Sequence, residues 1–287
     1  MKERLLRLGV PLVVFSFFIR PSIVYIMGVD TLGQRYTFWE NIAAMKNVAP
    51  GPTWFLEALL LFTLCYLLWY CLCGRQTSRP EAGRFPGLFT ILAFGAFLGF
   101  ATFTARLFYP TNTEVFHMRP GNFPQYICLF IMGVVASRHN WPLAVNSLAG
   151  KGSLAVAFLL LPVLAWAMVT GGFFDGGAGP FKGGWTWQSL FLSCWESSFC
   201  LSMIIGMLFL FHRVLNHQGR ILKAMARSAY GVYIIQAPLI VFLSCSLKGV
   251  VLNPVLKFGL VTLTGVPLCF LVSHYLVRKI PGVSKIL

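Results

Sequence analysis

The sequence predicts an all-α integral membrane protein, a bundle of about eight transmembrane helices with both termini in the cytoplasm. Three observations carry that expectation. Only 11% of the 287 residues are charged, where a soluble chain carries roughly 25%, while 57% are hydrophobic and the mean hydropathy is +0.74. Aromatic residues make up 15%, including 27 Phe and 8 Trp, which suits a surface that faces lipid and is anchored by rings at the headgroups. The apolar residues also gather in windows of about 20, the length that crosses roughly 30 Å of hydrocarbon.

The first window, residues 8 to 27, follows a short basic start. That start has the shape of a secretory signal, but Arg20-Pro21 is followed by Ile23, Val24, Tyr25, Ile26 and Met27 with no small-x-small cleavage site, so the segment reads as a retained helix. The second span, 53 to 73, is set off by Ala49-Pro50-Gly51-Pro52. The third, fourth and fifth are 86 to 109, 123 to 138, which is short, and 153 to 171. A Gly-rich connector from Gly171 to Gly184 precedes the sixth span, 187 to 211. It follows no strand and lacks a Lys-Ser/Thr ending, so it reads as a flexible external loop and not as a phosphate cradle. The seventh and eighth spans are 228 to 247 and 254 to 277. No soluble domain and no fixed-period repeat is evident, and residues 1–287 read as a single multi-span membrane domain.

The net charge of +15 does not point to nucleic acid, because the basic residues come in small clusters between apolar windows and form no continuous stripe. Alternate connectors explain them better: with eight crossings, 15 Lys and Arg fall on one side and 6 on the other. By the positive-inside rule the first side is cytoplasmic, which makes the chain a multi-pass protein of the cell membrane whose first partner is the bilayer. The eight Cys lie in or at the ends of apolar windows, as small hydrophobes, so neither a disulfide framework nor a zinc site is expected.

Ionisable groups within spans are costly, by about 2.5 to 3.5 kcal/mol on insertion scales, so each asks for a partner or a watered cavity. Arg20, Glu57 and Arg106 all lie in the outer half, and a pairing of Glu57 with Arg20 or Arg106 is geometrically allowed. Glu196 lies near mid-membrane with no cation expected at its depth. It is either a group lining a functional cavity or a neutral, hydrogen-bonded structural residue. Gln236 is the other polar side chain at mid-depth. None of the five His is placed by sequence beside a nucleophile, and no i, i+4 ligand pair suggests a metal. Arg4 and Arg7 share one helical face at the cytoplasmic surface, where they serve either as positive-inside anchors or as a fork for an anionic, nucleotide-bearing substrate.

Several segments, in order, resemble the membrane acyltransferase 3 family. Arg4-Leu5-Leu6-Arg7-Leu8-Gly9-Val10-Pro11 is similar to that family's Arg-x-x-Arg-Leu-x-x-Pro, and Gly51-Pro52-Thr53-Trp54-Phe55-Leu56 to its Gly-x-x-Trp-Phe-Leu. Pro124-Gln125-Tyr126-Ile127 leads to Phe130-Ile131-Met132-Gly133, and Ser228-Ala229-Tyr230-Gly231-Val232-Tyr233-Ile234-Ile235-Gln236-Ala237-Pro238 resembles Ser-x-Tyr-Gly-x-Tyr-Leu-x-His-x-Pro. The resemblance implies a transferase that moves an acyl group, often acetyl, to a sugar or other envelope acceptor. Acyl-coenzyme A is its co-substrate, and no bound cofactor is implied. Arg4 and Arg7 stand at the donor-side arginine positions, and Arg20, Trp54, Glu57, Arg106, Tyr230 and Gln236 are candidates for the substrate path.

The family's catalytic His, on a helix upstream of the paired arginines, has no counterpart, so the chain reads as lacking two N-terminal helices. Glu196 is the one catalytic candidate. Gln236 stands where the family commonly has His, and an amide cannot shuttle protons at neutral pH. Two other functions compete: a transporter or flippase of a small polar or lipid-linked substrate, suggested by charged residues within spans, and a non-catalytic membrane subunit.

Overall fold

Every regular element among the described residues is helical, save one isolated bridge between Val115 and Met118. The computed structural model describes residues 2–32, 37–40, 50–73, 83–216, 219–275 and 279. Arg35, Lys46, Arg75, Arg79, Arg278 and Lys285, counted above for sidedness, lie outside them.

The first window becomes α1 (Lys2–Val14), a π segment (Phe15–Ile19) and α2 (Arg20–Leu32). The π turn sits just ahead of Pro21, whose missing N–H and bulky ring do not fit an ordinary helical ladder. There the Arg20 N–H reaches back five residues to the Phe15 carbonyl. The chain thus stays helical through the Pro, and Arg4–Gly28 is long and apolar enough to span.

The remaining elements are α3 (Trp54–Cys73), α4 (Leu88–Phe108), α5 (Phe123–Arg138), α6 (Trp141–Ala144) and α7 (Ser147–Thr170). After them come α8 (Gly179–Lys182), α9 (Trp187–Phe209, prolonged by the π segment Leu210–Val214), α10 (Arg220–Ser246) and α11 (Pro254–Tyr275). Seven of the described helices have the length and hydropathy to cross a membrane. The short fourth window does not join them: α5 has 16 residues, about 24 Å at 1.5 Å per residue. A 3-10 turn at Pro120–Asn122 precedes it, and Asn140 in the left-handed region (φ 53°) lies just past its end.

The chain divides into two compact units. The first comprises residues 1–69 and 218–287. Within it α10 packs against α11 and α2, and the Ser273 hydroxyl donates to the Ser228 carbonyl at 2.8 Å. Gly51 adopts φ +51°, and a Cβ there would lie 3.2 Å from the ring of Phe15, which is 1% exposed. Gly favours that conformation and, having no Cβ, makes room for that contact.

The second unit, residues 70–217, is organised around α9, which packs against α4 and α7. Glycines set the approach. A Cβ on Gly99 would lie 3.0 Å from the Cα of Cys194, one on Gly150 would meet the Phe209 ring at 2.1 Å, and one on Gly206 would meet Leu154 at 2.7 Å. Close approach through small residues is how helices associate where lipid is as apolar as the side chains. The indole Nε1 of Trp195 donates to the Leu160 carbonyl at 2.7 Å, joining α9 to α7. The burial pattern is inverted relative to a soluble protein: Phe89, Phe100 and Phe158 are exposed, whereas Thr102, Arg106, Ser189, Ser193 and Ser197 are fully buried.

Candidate functional site

The buried polar residues of the second unit form one cluster. Ser189, Ser193 and Ser197 recur every four residues and so share one face of α9, with Glu196 beside them. Each of the later two hydroxyls donates one turn back, Ser193 to the Ser189 carbonyl and Ser197 to the Ser193 carbonyl, both at 2.8 Å. Their lone pairs then serve neighbouring helices. Arg106 Nη1 donates to Ser193 Oγ at 3.2 Å, and Gln125 Nε2 donates to Ser197 Oγ at 3.0 Å. The other guanidinium nitrogen, Nη2, donates to Asn122 Oδ1 at 2.8 Å and to Glu196 Oε2 at 2.5 Å. Asn122 Nδ2 in turn donates to the Tyr126 hydroxyl at 3.4 Å.

The partner of Arg106 corrects the sequence-based expectation, which offered Glu57 and placed no cation at the depth of Glu196. Gly99 against Cys194 fixes the register of antiparallel α4 and α9. Arg106 then stands seven residues to one side and Glu196 two to the other, so their Cα atoms are offset by about 13 Å along the axis. Side chains lean toward the N-terminus of their own helix. In an antiparallel pair with this offset, Arg106 and Glu196 lean toward each other and their tips meet.

The pair is asymmetric: the Arg106 side chain is 1% exposed, that of Glu196 32%. A buried guanidinium is tolerable because a carboxylate, an amide and a hydroxyl all accept from it. Glu196 spends Oε2 on this contact and remains partly exposed. Among the described residues Oε1 takes no hydrogen bond, and buried Arg106 Nε and Ser189 Oγ have no hydrogen-bond partner. The cluster therefore offers donors and acceptors within an apolar bundle, which suits holding and orienting hydroxyls.

In the first unit, two other candidates meet. Arg4 and Arg7 are exposed at the start of α1. The Arg7 guanidinium carbon lies 5.8 Å from the centre of the Tyr230 ring, and the Tyr230 hydroxyl donates to the Arg7 carbonyl at 2.7 Å. Cation–π and backbone contacts together tie the first turns of α1 to α10. Tyr233 does the same for the Pro50-Gly51-Pro52 turn, donating to the Pro52 carbonyl at 2.7 Å. Trp54 packs edge-on against Phe55, Glu57 is half-buried in the first turn of α3, and Arg20 is half-buried where α2 begins. Gln236 lines a cavity of about 470 Å³ between α10 and α11.

Contrary to the sequence reading, one His does lie beside a hydroxyl. His274 Nδ1 is 3.4 Å from Ser228 Oγ, and Ser228 is 1% exposed. A separation of 46 residues hid this pair. The four-residue serine period was visible in the sequence and points at the face that Arg106 and Gln125 use, whereas nothing in the spacing identifies Asn122 as an acceptor. Among the described residues no three His, Cys, Asp or Glu side chains gather as a metal site.

A family model described as an acyltransferase domain, that of the acyltransferase 3 family, matches residues 1–274. No curated protein and no solved structure is a match.

Proposed function

The chain belongs to the acyltransferase 3 family, and from that premise we propose that it carries an acyl group, in the first instance acetyl, from acyl-coenzyme A to a hydroxyl of a sugar or other envelope acceptor. Its apolar helices make it a multi-pass membrane protein. We place it in the cell membrane, with α5 crossing as an eighth span and both ends on the basic, cytoplasmic side. In the transfer, the thioester C–S bond breaks and an ester C–O bond forms. The acceptor's hydroxyl proton ends on the sulfur, releasing coenzyme A as its free thiol.

The observation that carries this reading is the polar cluster around Arg106 and Glu196. A polyhydroxyl acceptor needs such donors and acceptors inside an otherwise apolar bundle. Glu196 Oε1 accepts a hydrogen bond from the acceptor hydroxyl, and Arg106 holds that carboxylate in place. In this reading Glu196 orients the acceptor hydroxyl. Arg4 and Arg7 supply the guanidinium groups for the phosphates of the donor, with Tyr230 fixing the position of Arg7.

The test is ester formation by the purified protein in liposomes, from labelled acetyl-coenzyme A and a panel of sugar acceptors. Product that disappears in Glu196→Gln while the protein still inserts supports the reading. A Glu196→Gln variant that turns over like wild type returns Glu196 to a structural role, and absence of product with every acceptor and acyl donor removes the enzymatic reading for this chain.

A further inference from the structure

At the end of the second unit where α4 stops and α9 starts, two connectors are fastened to each other. The Thr111 N–H donates to the Lys182 carbonyl at 2.7 Å, and the Gly184 N–H donates to the Arg106 carbonyl at 3.4 Å. Gly183 lets them close up, since a Cβ there would lie 2.6 Å from the Arg106 carbonyl oxygen and 3.0 Å from the Cα of Pro110. Thr186 ties the far side: its hydroxyl donates to the Pro180 carbonyl at 2.7 Å and caps α9 by accepting from the Ser189 N–H at 3.2 Å. These contacts make a fixed rim at the helix end that carries Arg106.

Each connector holds one aromatic ring out from this rim. Trp185 is 83% exposed although its ring centre lies 5.7 Å from that of Phe103, so the indole is braced on one side and open elsewhere. Phe116, 81% exposed, stands at the tip of a two-residue hairpin closed by Val115 and Met118, which exchange hydrogen bonds at 2.9 and 3.1 Å. Both tip residues are left-handed, Phe116 at φ 48° and His117 at φ 60°. Hairpins this tight ordinarily use Asn, Asp or Gly there, and a bulky side chain is strained. An exposed Phe gains no burial to offset that strain. Glu114 and Arg119 flank the tip, both exposed, with their charged groups 3.8 Å apart. Charges on both sides keep the tip out of hydrocarbon, where a ring would be held by apolar burial.

We propose that this rim binds the sugar chain of the acceptor, with Trp185 and Phe116 each stacking on a ring beyond the one that reacts. A sugar presents a C–H face that packs on an aromatic ring and hydroxyls that bond carboxylates and guanidinium groups. Glu196 begins about 14 Å beyond Trp187 at 1.5 Å per residue, and its side chain leans back toward the rim. A chain of several rings can therefore rest on the rim with one ring at that carboxylate. The proposal rests on the acyl-transfer reading, and sugar binding is measured without turnover so that the two can fail separately.

Liposome-embedded protein is titrated with glucose and N-acetylglucosamine oligomers of one to six rings, and binding is followed by saturation-transfer NMR. Affinity is expected to rise about tenfold from one ring to four in at least one series. Trp185→Ala and Phe116→Ala are each expected to weaken the longer oligomers about three- to tenfold and to leave the single sugar unchanged. Trp166→Ala, which removes an exposed ring from α7, is expected to change neither. Phe116→Gly gives the sharpest contrast: Gly accepts the left-handed backbone, so the unfolding temperature rises while oligomer binding falls. Ester formation is assayed in parallel. Oligomer binding that depends on both rings, with no ester from any acyl donor, supports the rim and removes the enzymatic reading. Affinity that does not grow with ring number, no binding in either series, or Trp185→Ala and Phe116→Ala variants that bind oligomers like wild type overturns the proposal.

Discussion

Arg106 and Glu196 make a pair whose removal is informative in both orders. Taking away one partner leaves a charge without its counterion inside the bundle, at a cost of about 3 to 5 kcal/mol, whereas replacing both with apolar residues of similar size is often neutral. We expect Arg106→Met to lower the thermal unfolding temperature in detergent strongly and Arg106→Met with Glu196→Leu to restore it. Turnover is expected to stay lost in the double variant. A double variant with restored stability and full turnover would make the pair purely structural. The donor side separates differently: Arg4→Ala with Arg7→Ala is expected to raise KM for acyl-coenzyme A at least tenfold while leaving KM for the acceptor unchanged. Tyr230→Phe, which keeps the ring beneath Arg7 and loses one hydrogen bond, is expected to cost about 0.5 to 1.5 kcal/mol. At this scale the sequence singled out Arg106 and Glu196 as charged residues within spans and offered Arg106 the wrong partner. It located Glu196 and Arg106 by the depth of their Cα atoms, and the contact is made by side-chain tips that lean toward each other by the length of an Arg plus a Glu.

Helices in this protein are held by what their glycines omit. Gly99 lies against Cys194 and Gly150 against Phe209, while a Cβ on Gly152, two residues along the same helix, meets nothing within 4 Å. Gly99→Val and Gly150→Val are therefore expected to destabilise the second unit by about 1 to 3 kcal/mol, the cost of overpacking, and Gly152→Val to fall within about 0.5 kcal/mol of wild type. Thermal unfolding of the purified variants checks the contrast. Equal effects at positions 150 and 152 would mean that helix propensity, not packing, decides. The existence of the long helices was legible because twenty apolar residues in a row leave few other structures. Which face of each helix is inward was not, because lipid-facing and core-facing positions are both apolar. The seven-residue offset from Gly99 to Arg106 on α4 acquires meaning only once Cys194 is known to lie opposite Gly99. The π turn before Pro21 and the left-handed Asn140 were equally hidden, since each is a local answer to packing around a single residue.

At the scale of the molecule the open variable is whether α5 crosses, because its 16 residues cover about 24 Å of a roughly 30 Å core. The charges of the whole chain bear on it. If α5 crosses, Lys and Arg divide 15 against 6 between the two sides; if it turns back, every later connector changes side and the division becomes 9 against 12. Only the first arrangement has the strong bias that orients membrane chains, and a short helix is accommodated by local thinning at a fraction of a kcal/mol per Å. The turn at Pro120–Asn122 also lengthens the segment at its start. We therefore expect Arg119→Cys and Ser147→Cys, each exposed and each introduced after replacing the native cysteines, to react from opposite faces. A membrane-impermeant maleimide added to intact cells would label position 119 directly and position 147 only after permeabilisation. Labelling of both from outside would make α5 a re-entrant segment. It would also put residues 4 and 275 on opposite faces, separating Arg4 and Arg7 from His274 and Ser228. The 3.4 Å approach of His274 to Ser228 and the Tyr230 bond to the Arg7 carbonyl place these groups at one end of the first unit, so that outcome would contradict the packing of α1, α10 and α11 as well as the charge count.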